Sequence, residues 1–161
     1  MKRIAIYPGS FDPITLGHVD IIERSSHIFD HVIVNLAINP AKTTLFNSEE
    51  RKQMVEDAVK HIPNVSVEAF DGLVVELAKK RNASAIIRGL RAISDFEYEF
   101  QMALMNRNLD PSVETFFMMS KDTYMYVSSR IVKELASLGG MVSNLVHPLV
   151  EERIKKKYSL T

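Results

Sequence analysis

Ile4 to Ile22 reads IAIYPGSFDPITLGHVDII, and the fold turns on how this stretch is read. Ile4-Ala5-Ile6-Tyr7 is a short apolar run with strand character, broken at Pro8-Gly9. A polar loop, Ser10-Phe11-Asp12-Pro13, leads into a helix at Thr15-Leu16-Gly17-His18. A strand that ends in a glycine turn and feeds a helix N-terminus is the usual architecture for holding phosphate. Unpaired N–H groups point outward there, and the helix dipole favours an anion. The stretch contains neither G-x-G-x-x-G nor G-x-x-x-x-G-K-[ST], so it spells neither a dinucleotide fingerprint nor a P-loop. What it carries instead is a histidine in the first helical turn. An ordinary βα unit with His18 as a helix-cap residue is the competing reading.

Outward from this unit, apolar runs and helical patterns keep alternating. Strand-like runs fall at His31 to Ala37, Val65 to Phe70, Ala85-Ile86-Ile87 (cut by Arg88-Gly89) and Glu114 to Met118. Between them, helices are expected from Ser48, as N-cap, to about His61, then over Leu73 to Arg81 and Ser94 to Leu109. Two more, roughly Ser128 to Leu138 and His147 to Tyr158, close the chain. This is the pattern of an α/β protein: a Rossmann-like, doubly wound, five-stranded parallel sheet with C-terminal helices. The expected strand order is 3-2-1-4-5, and residues 1–161 form a single domain. In that order strands 1 and 4 are neighbours where the order reverses, so the loop with Ser10 and His18 would face Arg88-Gly89-Leu90-Arg91 across one crevice.

Composition narrows the function classes. The 161 residues are 46% hydrophobic and 25% charged, as in an ordinary globular domain. Twenty basic and twenty acidic residues leave no net charge, so no global field recruits nucleic acid or an anionic membrane. There is no cysteine, which excludes disulfides, thiolate nucleophiles and Cys-ligated zinc. No signal-peptide pattern and no apolar run of membrane-spanning length is present, so a cytoplasmic location is the expectation.

Several residues then suggest chemistry. Arg88 and Arg91 follow a buried strand, where guanidinium forks need an anion partner, and Gly89 between them lets backbone approach closely. Lys42 lies on the same rim, after Asn39-Pro40. Tyr124-Met125-Tyr126-Val127-Ser128-Ser129-Arg130 precedes a helix. Its serines can cap that helix or offer hydroxyls to a polyphosphate, and its tyrosines can stack on a base or simply pack. The Ser94–Leu109 helix carries two apolar stripes, Phe96/Phe100/Ala103/Leu104 and Tyr98/Met102/Met105/Leu109, which points to a subunit interface or an unusually deep core. Glu99 lies on neither stripe and can reach the crevice. His27, His31, His61 and His147 have no mutual metal-ligand spacing, and no acidic cluster reads as a magnesium cage.

Thr15-Leu16-Gly17-His18 resembles the T/H-x-G-H signature of the nucleotidyltransferase superfamily, and Ser128-Ser129 before a helix resembles its second motif. Within it, YPGSFDPITLGH, RGLRAISDFEYEFQMALMN and VSSRIVKE closely resemble the bacterial phosphopantetheine adenylyltransferase family, with support from LFNSEER and FDGLVVELAK. The resemblance implies reversible transfer of an adenylyl group from ATP to 4′-phosphopantetheine, giving dephospho-coenzyme A and pyrophosphate. It implies that Ser10 and Phe11 contact ATP, with Ser10 also at the acceptor phosphate, and that His18 lies at the α-phosphate. Lys42 and Arg88 would hold the acceptor phosphate, and Val74 would line the pantetheine arm. Gly89, Leu90, Arg91 and Glu99 would contact ATP. Tyr124, Met125, Tyr126, Val127, Ser128, Ser129 and Arg130 would bracket the adenine and the β,γ-phosphates. The family also implies Mg²⁺, a homohexamer and coenzyme A as feedback inhibitor. Three departures stand out: Arg130 in place of a small hydroxyl, Tyr126 in place of a common Phe, and His147-Pro148 in place of a Val/Pro-Pro turn. The alternatives are adenylyl transfer to another phosphorylated acceptor, such as nicotinate mononucleotide, or a non-catalytic nucleotide-binding sensor on the same fold.

Overall fold

The computed structural model describes residues 2–39, 41, 43–91 and 93–159. The alternation of patterns resolves into β1 (Ile4–Gly9), α1 (Leu16–Ile28), β2 (His31–Ala37), α2 (Ser48–Val59), β3 (Val65–Phe70) and α3 (Val74–Arg81). These are followed by β4 (Ala85–Leu90), α4 (Ile93–Leu109), β5 (Glu114–Met119), a 3-10 turn (Asp122–Tyr124), α5 (Ser129–Ser137) and α6 (Pro148–Lys157). All strand pairs are parallel, in the order β3-β2-β1-β4-β5 that the sequence pattern predicts.

Side chains on the strands alternate between two cores, as a pleated sheet requires. Ala5, Tyr7, Val32, Val34, Leu36, Ala85 and Ile87 pack with apolar residues of α1, α2, α5 and α6. Ile6, Ile33 and Ile86 face the other way, against Val75, Leu77 and Ala78 of α3. On β5, Phe116 meets Phe29 at the end of α1 while its neighbour Phe117 meets Phe96, which puts α4 on the same side as α3.

β1 does not break at Pro8-Gly9 as expected but runs through both, because Asn35 and Leu36 of β2 stand opposite them. Further boundaries differ, each for a physical reason. α2 is capped by Asn47 rather than Ser48: the Asn47 side chain accepts from the Glu50 N–H at 2.9 Å, and the Asn47 N–H donates back to Glu50 at 2.8 Å. Asparagine followed three residues later by glutamate completes a capping box, which Ser48 does not. β4 does not stop at Ile87 but continues through Arg88-Gly89-Leu90, because β5 supplies partners as far as Met119. On its other side, β4 pairs with β1 only through Ala5–Ala85 and Ile6–Ile86. Beyond that point β1 and β4 part, and the crevice opens where the strand order reverses. The His147 departure has a local role: its Nδ1 accepts from the Leu149 N–H at 3.3 Å and caps α6, with Pro148 in the first turn.

Candidate active site

β1 ends in a loop whose backbone is tightly prescribed. Phe11 adopts a left-handed φ of 47° and buries its ring edge-on against Tyr7 and His18, with centroids 5.7 and 5.2 Å away. A Cβ on Gly9 would come within 2.8 Å of the Phe11 ring, so glycine is needed where the loop folds back.

His18 is the third residue of α1 and closes its capping box. The Thr15 N–H donates to His18 Nδ1 at 3.0 Å, and the His18 N–H donates to Thr15 Oγ1 at 3.4 Å. A backbone N–H can only donate, so Nδ1 must be the unprotonated nitrogen, and in the neutral ring Nε2 carries the proton. Burial, aided by the Arg91 charge, pushes the His18 pKa down to about 4, so the ring is neutral at physiological pH. His18 is thus an oriented N–H donor and not a proton acceptor. The helix-cap reading of His18 is what the structure shows, and the cap leaves Nε2–H turned away from the helix start as a donor.

Arg88 stands across the crevice from this helix start. Its Nε and Nη2 donate to the two Glu99 oxygens at 2.5 and 2.6 Å, and its Nη1 donates to the Pro8 carbonyl at 3.4 Å. Burial opposes the Arg88 charge, but the Glu99 carboxylate outweighs it and holds the guanidinium above its ordinary pKa. Arg91 Nη1 reaches the Val127 carbonyl at 3.5 Å. Gly89 borders the crevice with its backbone. A Cβ there would sit 2.5 Å from Ile21 Cδ1, so the glycine lets α1 pack against β4.

These elements enclose a cleft of about 360 Å³. Ser10, His18, Val74, Arg88, Gly89, Arg91, Glu99 and Val127, all expected from sequence, line it. Phe11 lies behind His18, and Leu90 is engaged through its carbonyl, which accepts the Ser120 N–H at 3.1 Å. Tyr124 packs against the core beside Gly17, whereas Met125 and Tyr126 are exposed. Ser128 caps α5 by accepting the Ile131 N–H at 3.1 Å, and Ser129 Oγ donates to the Pro13 carbonyl at 2.7 Å. Arg130 is exposed on the first turn of α5. Lys42 lies outside the described residues.

Tyr98, Met102 and Asn106 also line the cleft, four residues apart along α4. The expected place for Tyr98 and Met102 is a stripe for a subunit interface or an unusually deep core. The i, i+4, i+8 spacing was there to be read, but nothing in it says which neighbour that side of the helix meets.

A nucleotide-sized cleft at the switch point of this sheet, with a helix N-terminus on one wall and arginines on the other, defines a nucleotidyltransferase-type site. Residues 6–135 match the Cytidylyltransferase-like family. Similar folds include a candidate nicotinate-nucleotide adenylyltransferase from Vibrio parahaemolyticus, at TM-score 0.74 and 20% identity over 100% of this chain and 98% of that one. The nicotinic acid mononucleotide adenylyltransferase of Plasmodium falciparum, complexed with NaAD, gives 0.72 and 16% over 99% and 97%. At such identities the likeness shows the fold alone. Sequence relatives are much nearer. The phosphopantetheine adenylyltransferase of Caldanaerobacter subterraneus subsp. tengcongensis is 57% identical over 97% of this chain and 98% of its own. Those of Heliobacterium modesticaldum and Desulfosudis oleivorans are 56% and 50% identical, over 98% and 96% of this chain and 94% and 92% of theirs. The chain belongs to the phosphopantetheine adenylyltransferase family.

Proposed function

We propose that this cleft transfers an adenylyl group from ATP to 4′-phosphopantetheine, giving dephospho-coenzyme A and pyrophosphate in coenzyme A biosynthesis, as its family membership implies. The observation that carries the assignment of roles is the meeting of a locked Nε2–H donor, His18, with Arg88 and Arg91 in one cleft.

The acceptor phosphate is already an anion, so the reaction needs no general base, and a neutral His18 is suited to it. The task is alignment of two mutually repelling anions and neutralisation of charge that builds on the α-phosphate. Arg88, held in place by Glu99, and Lys42 aim the acceptor phosphate together with Ser10. His18 donates to the α-phosphate oxygens in the transition state. Arg91 and the α5 N-terminus receive the β,γ-phosphates, and Arg130, exposed on the first turn of α5, is assigned to the terminal one. Val74, Tyr98 and Met102 give the cleft an apolar flank for the pantetheine arm.

Mg²⁺ enters as part of the ATP substrate. Among the described residues no group of three His, Cys, Asp or Glu side chains is placed to hold a metal, and Glu99 is already engaged by Arg88. Coenzyme A shares the pantetheine arm and the adenylate of the product and competes for the same cleft as a feedback inhibitor. A homohexamer is the assembly the family resemblance implies, and the exposed apolar residues of α4 and of the edge strand β5 give copies of the chain a face on which to meet. The cytoplasm, where ATP is made available, is the proposed location. Among the described residues no helix is long and apolar enough to cross a membrane.

The direct test mixes protein, MgATP and acceptor and follows pyrophosphate. Release is expected with 4′-phosphopantetheine and not with nicotinate mononucleotide or dephosphorylated pantetheine. Equal release with nicotinate mononucleotide would move the acceptor assignment to that compound. No release with any acceptor would leave a nucleotide-binding sensor.

A further inference from the structure

The loop that carries Ser10 is held by charged groups that do not themselves border the cleft. Asp12 is buried behind it, with both carboxylate oxygens engaged. Oδ1 accepts from the Phe46 N–H at 2.9 Å; Oδ2 accepts from the Leu45 N–H at 2.9 Å and from the Lys133 ammonium, on α5, at 2.7 Å. Arg51 of α2, equally buried, donates Nη1 to the Ser10 carbonyl at 2.7 Å. One carboxylate therefore joins three segments: the Ser10–Pro13 loop, the backbone at 45–46, and the helix that starts with Ser129.

We propose that Asp12 is a positioning residue for adenylyl transfer, acting through Lys133 and the Leu45 and Phe46 amides to fix the Ser10 loop against the start of α5. This rests on the placing of the acceptor phosphate near Ser10 and of the β,γ-phosphates at α5. Apolar side chains would join these segments at less desolvation cost than a buried ion pair. What the carboxylate adds is direction: three donors must sit at set distances from its two oxygens, so the two anion sites keep a set separation. In-line transfer between held reactants is sensitive to displacements of about 1 Å.

The pair also has a pH signature. Burial pushes the Asp12 carboxyl up, but the hydrogen bonds from Lys133, Leu45 and Phe46 prevail and hold it below the ordinary carboxylate range. The charged groups around it are Lys133 from α5, Arg51 from α2 at Ser10, and Lys157 from α6, which lies over the Phe46 ring. Without the Lys133 charge, burial is opposed by less, and the carboxyl takes a proton at a higher pH than in the native protein.

The experiment compares Lys133→Met, Lys133→Arg and Asp12→Asn with the wild type by pyrophosphate release from about pH 6 to about pH 8, each normalised at the same pH. Lys133→Met is expected to lose about tenfold or more in kcat, with KM for either substrate within about threefold, because alignment and not contact is lost. Where the loss varies with pH it should deepen toward acid, because the carboxyl without its ammonium partner binds a proton more readily than the native one. Lys133→Arg should recover most of the turnover at every pH, and Asp12→Asn should show a loss that does not vary with pH. Wild-type turnover across the range in a folded Lys133→Met protein overturns the proposal. An equal, pH-independent loss in Lys133→Met and Lys133→Arg also overturns it, since that is a packing defect. If Lys133→Met does not fold, Lys133→Gln takes its place, and the Lys133 variants decide alone if Asp12→Asn does not. A wild type that releases no pyrophosphate would strike the reading of the cleft and not this pair.

Discussion

His18 shows how much one side chain can be asked to do. Its Nδ1 closes a capping box on the Thr15 N–H, and this fixes the tautomer that leaves Nε2–H free as a donor. Replacing it with alanine removes both roles, so His18→Ala should cut turnover by about a hundredfold or more, the scale of one lost transition-state donor. ATP affinity should stay within roughly tenfold, because the donor acts on charge that develops later. His18→Gln separates the roles, since glutamine at this position of a capping box can still accept from Thr15. It should keep the helix start and still lose turnover. Near wild-type kcat in either variant would remove His18 from the chemistry. The glycines carry a second lesson. Gly89 was expected to let backbone approach closely; the structure adds that a side chain there would meet Ile21, a requirement written on α1 and not around Gly89.

At the scale of elements, α5 presents its N-terminus and its exposed Arg130 together. A cation there is disfavoured by the helix dipole, by about 0.3 kcal/mol or more. The proposed offset is an anion, the γ-phosphate, and the competing reading is a side chain turned to solvent or paired with Glu134 one turn on. A charge-assisted contact to the γ-phosphate is worth about 1.5–3 kcal/mol. Arg130→Ser should therefore weaken ATP binding in calorimetry while phosphopantetheine binding holds, and the difference should shrink as salt rises. ATP affinity that matches the wild type at low and high salt would leave Arg130 as a surface residue. α4 divides its faces differently. Glu99 and Asn106 are buried toward the cleft, whereas Phe100, Leu104 and Met105 are about half exposed, with Phe96 stacked on Phe100 at 5.8 Å. If subunits meet over this helix, Met105→Glu places an unpaired charge in a dry contact and should lower the native mass in sedimentation. An assembly of unchanged size would rule out that contact.

Across the whole molecule, buried titratable groups tie stability to pH. A neutral, buried His18 with a pKa near 4 binds fewer protons than the unfolded chain, whose histidines titrate near 6.5. Its contribution is fully present above about pH 6.5 and is lost as pH falls from there toward the folded value of about 4. Asp12 acts in a lower window: its depressed pKa stabilises above the unfolded carboxyl value of about 3.9 and is lost as pH falls through the folded one. Thermal melts from about pH 7 to about pH 5 should therefore fall more steeply for the wild type than for His18→Gln. Parallel slopes would mean that His18 titrates as it does in the unfolded chain.

Local pattern carried the parallel sheet and its two-sided core, because alternating strand and helix periods leave little choice of layer architecture. The order 3-2-1-4-5, on which the meeting of the Ser10 and Arg88 loops depends, was expected as one of the doubly wound orders and is the one observed. The T-x-G-H stretch likewise declared its cap and its histidine within four residues, since a capping box is a local structure. Tertiary packing alone decided which atoms those residues spend on the protein itself. Glu99 became the partner of Arg88, Arg51 turned inward to Ser10, and Asp12 joined three segments up to 121 positions apart. A charged side chain reads alike in sequence whether solvent or a buried partner satisfies it. Only the assembled sheet and its helices determine which groups come within hydrogen-bonding reach.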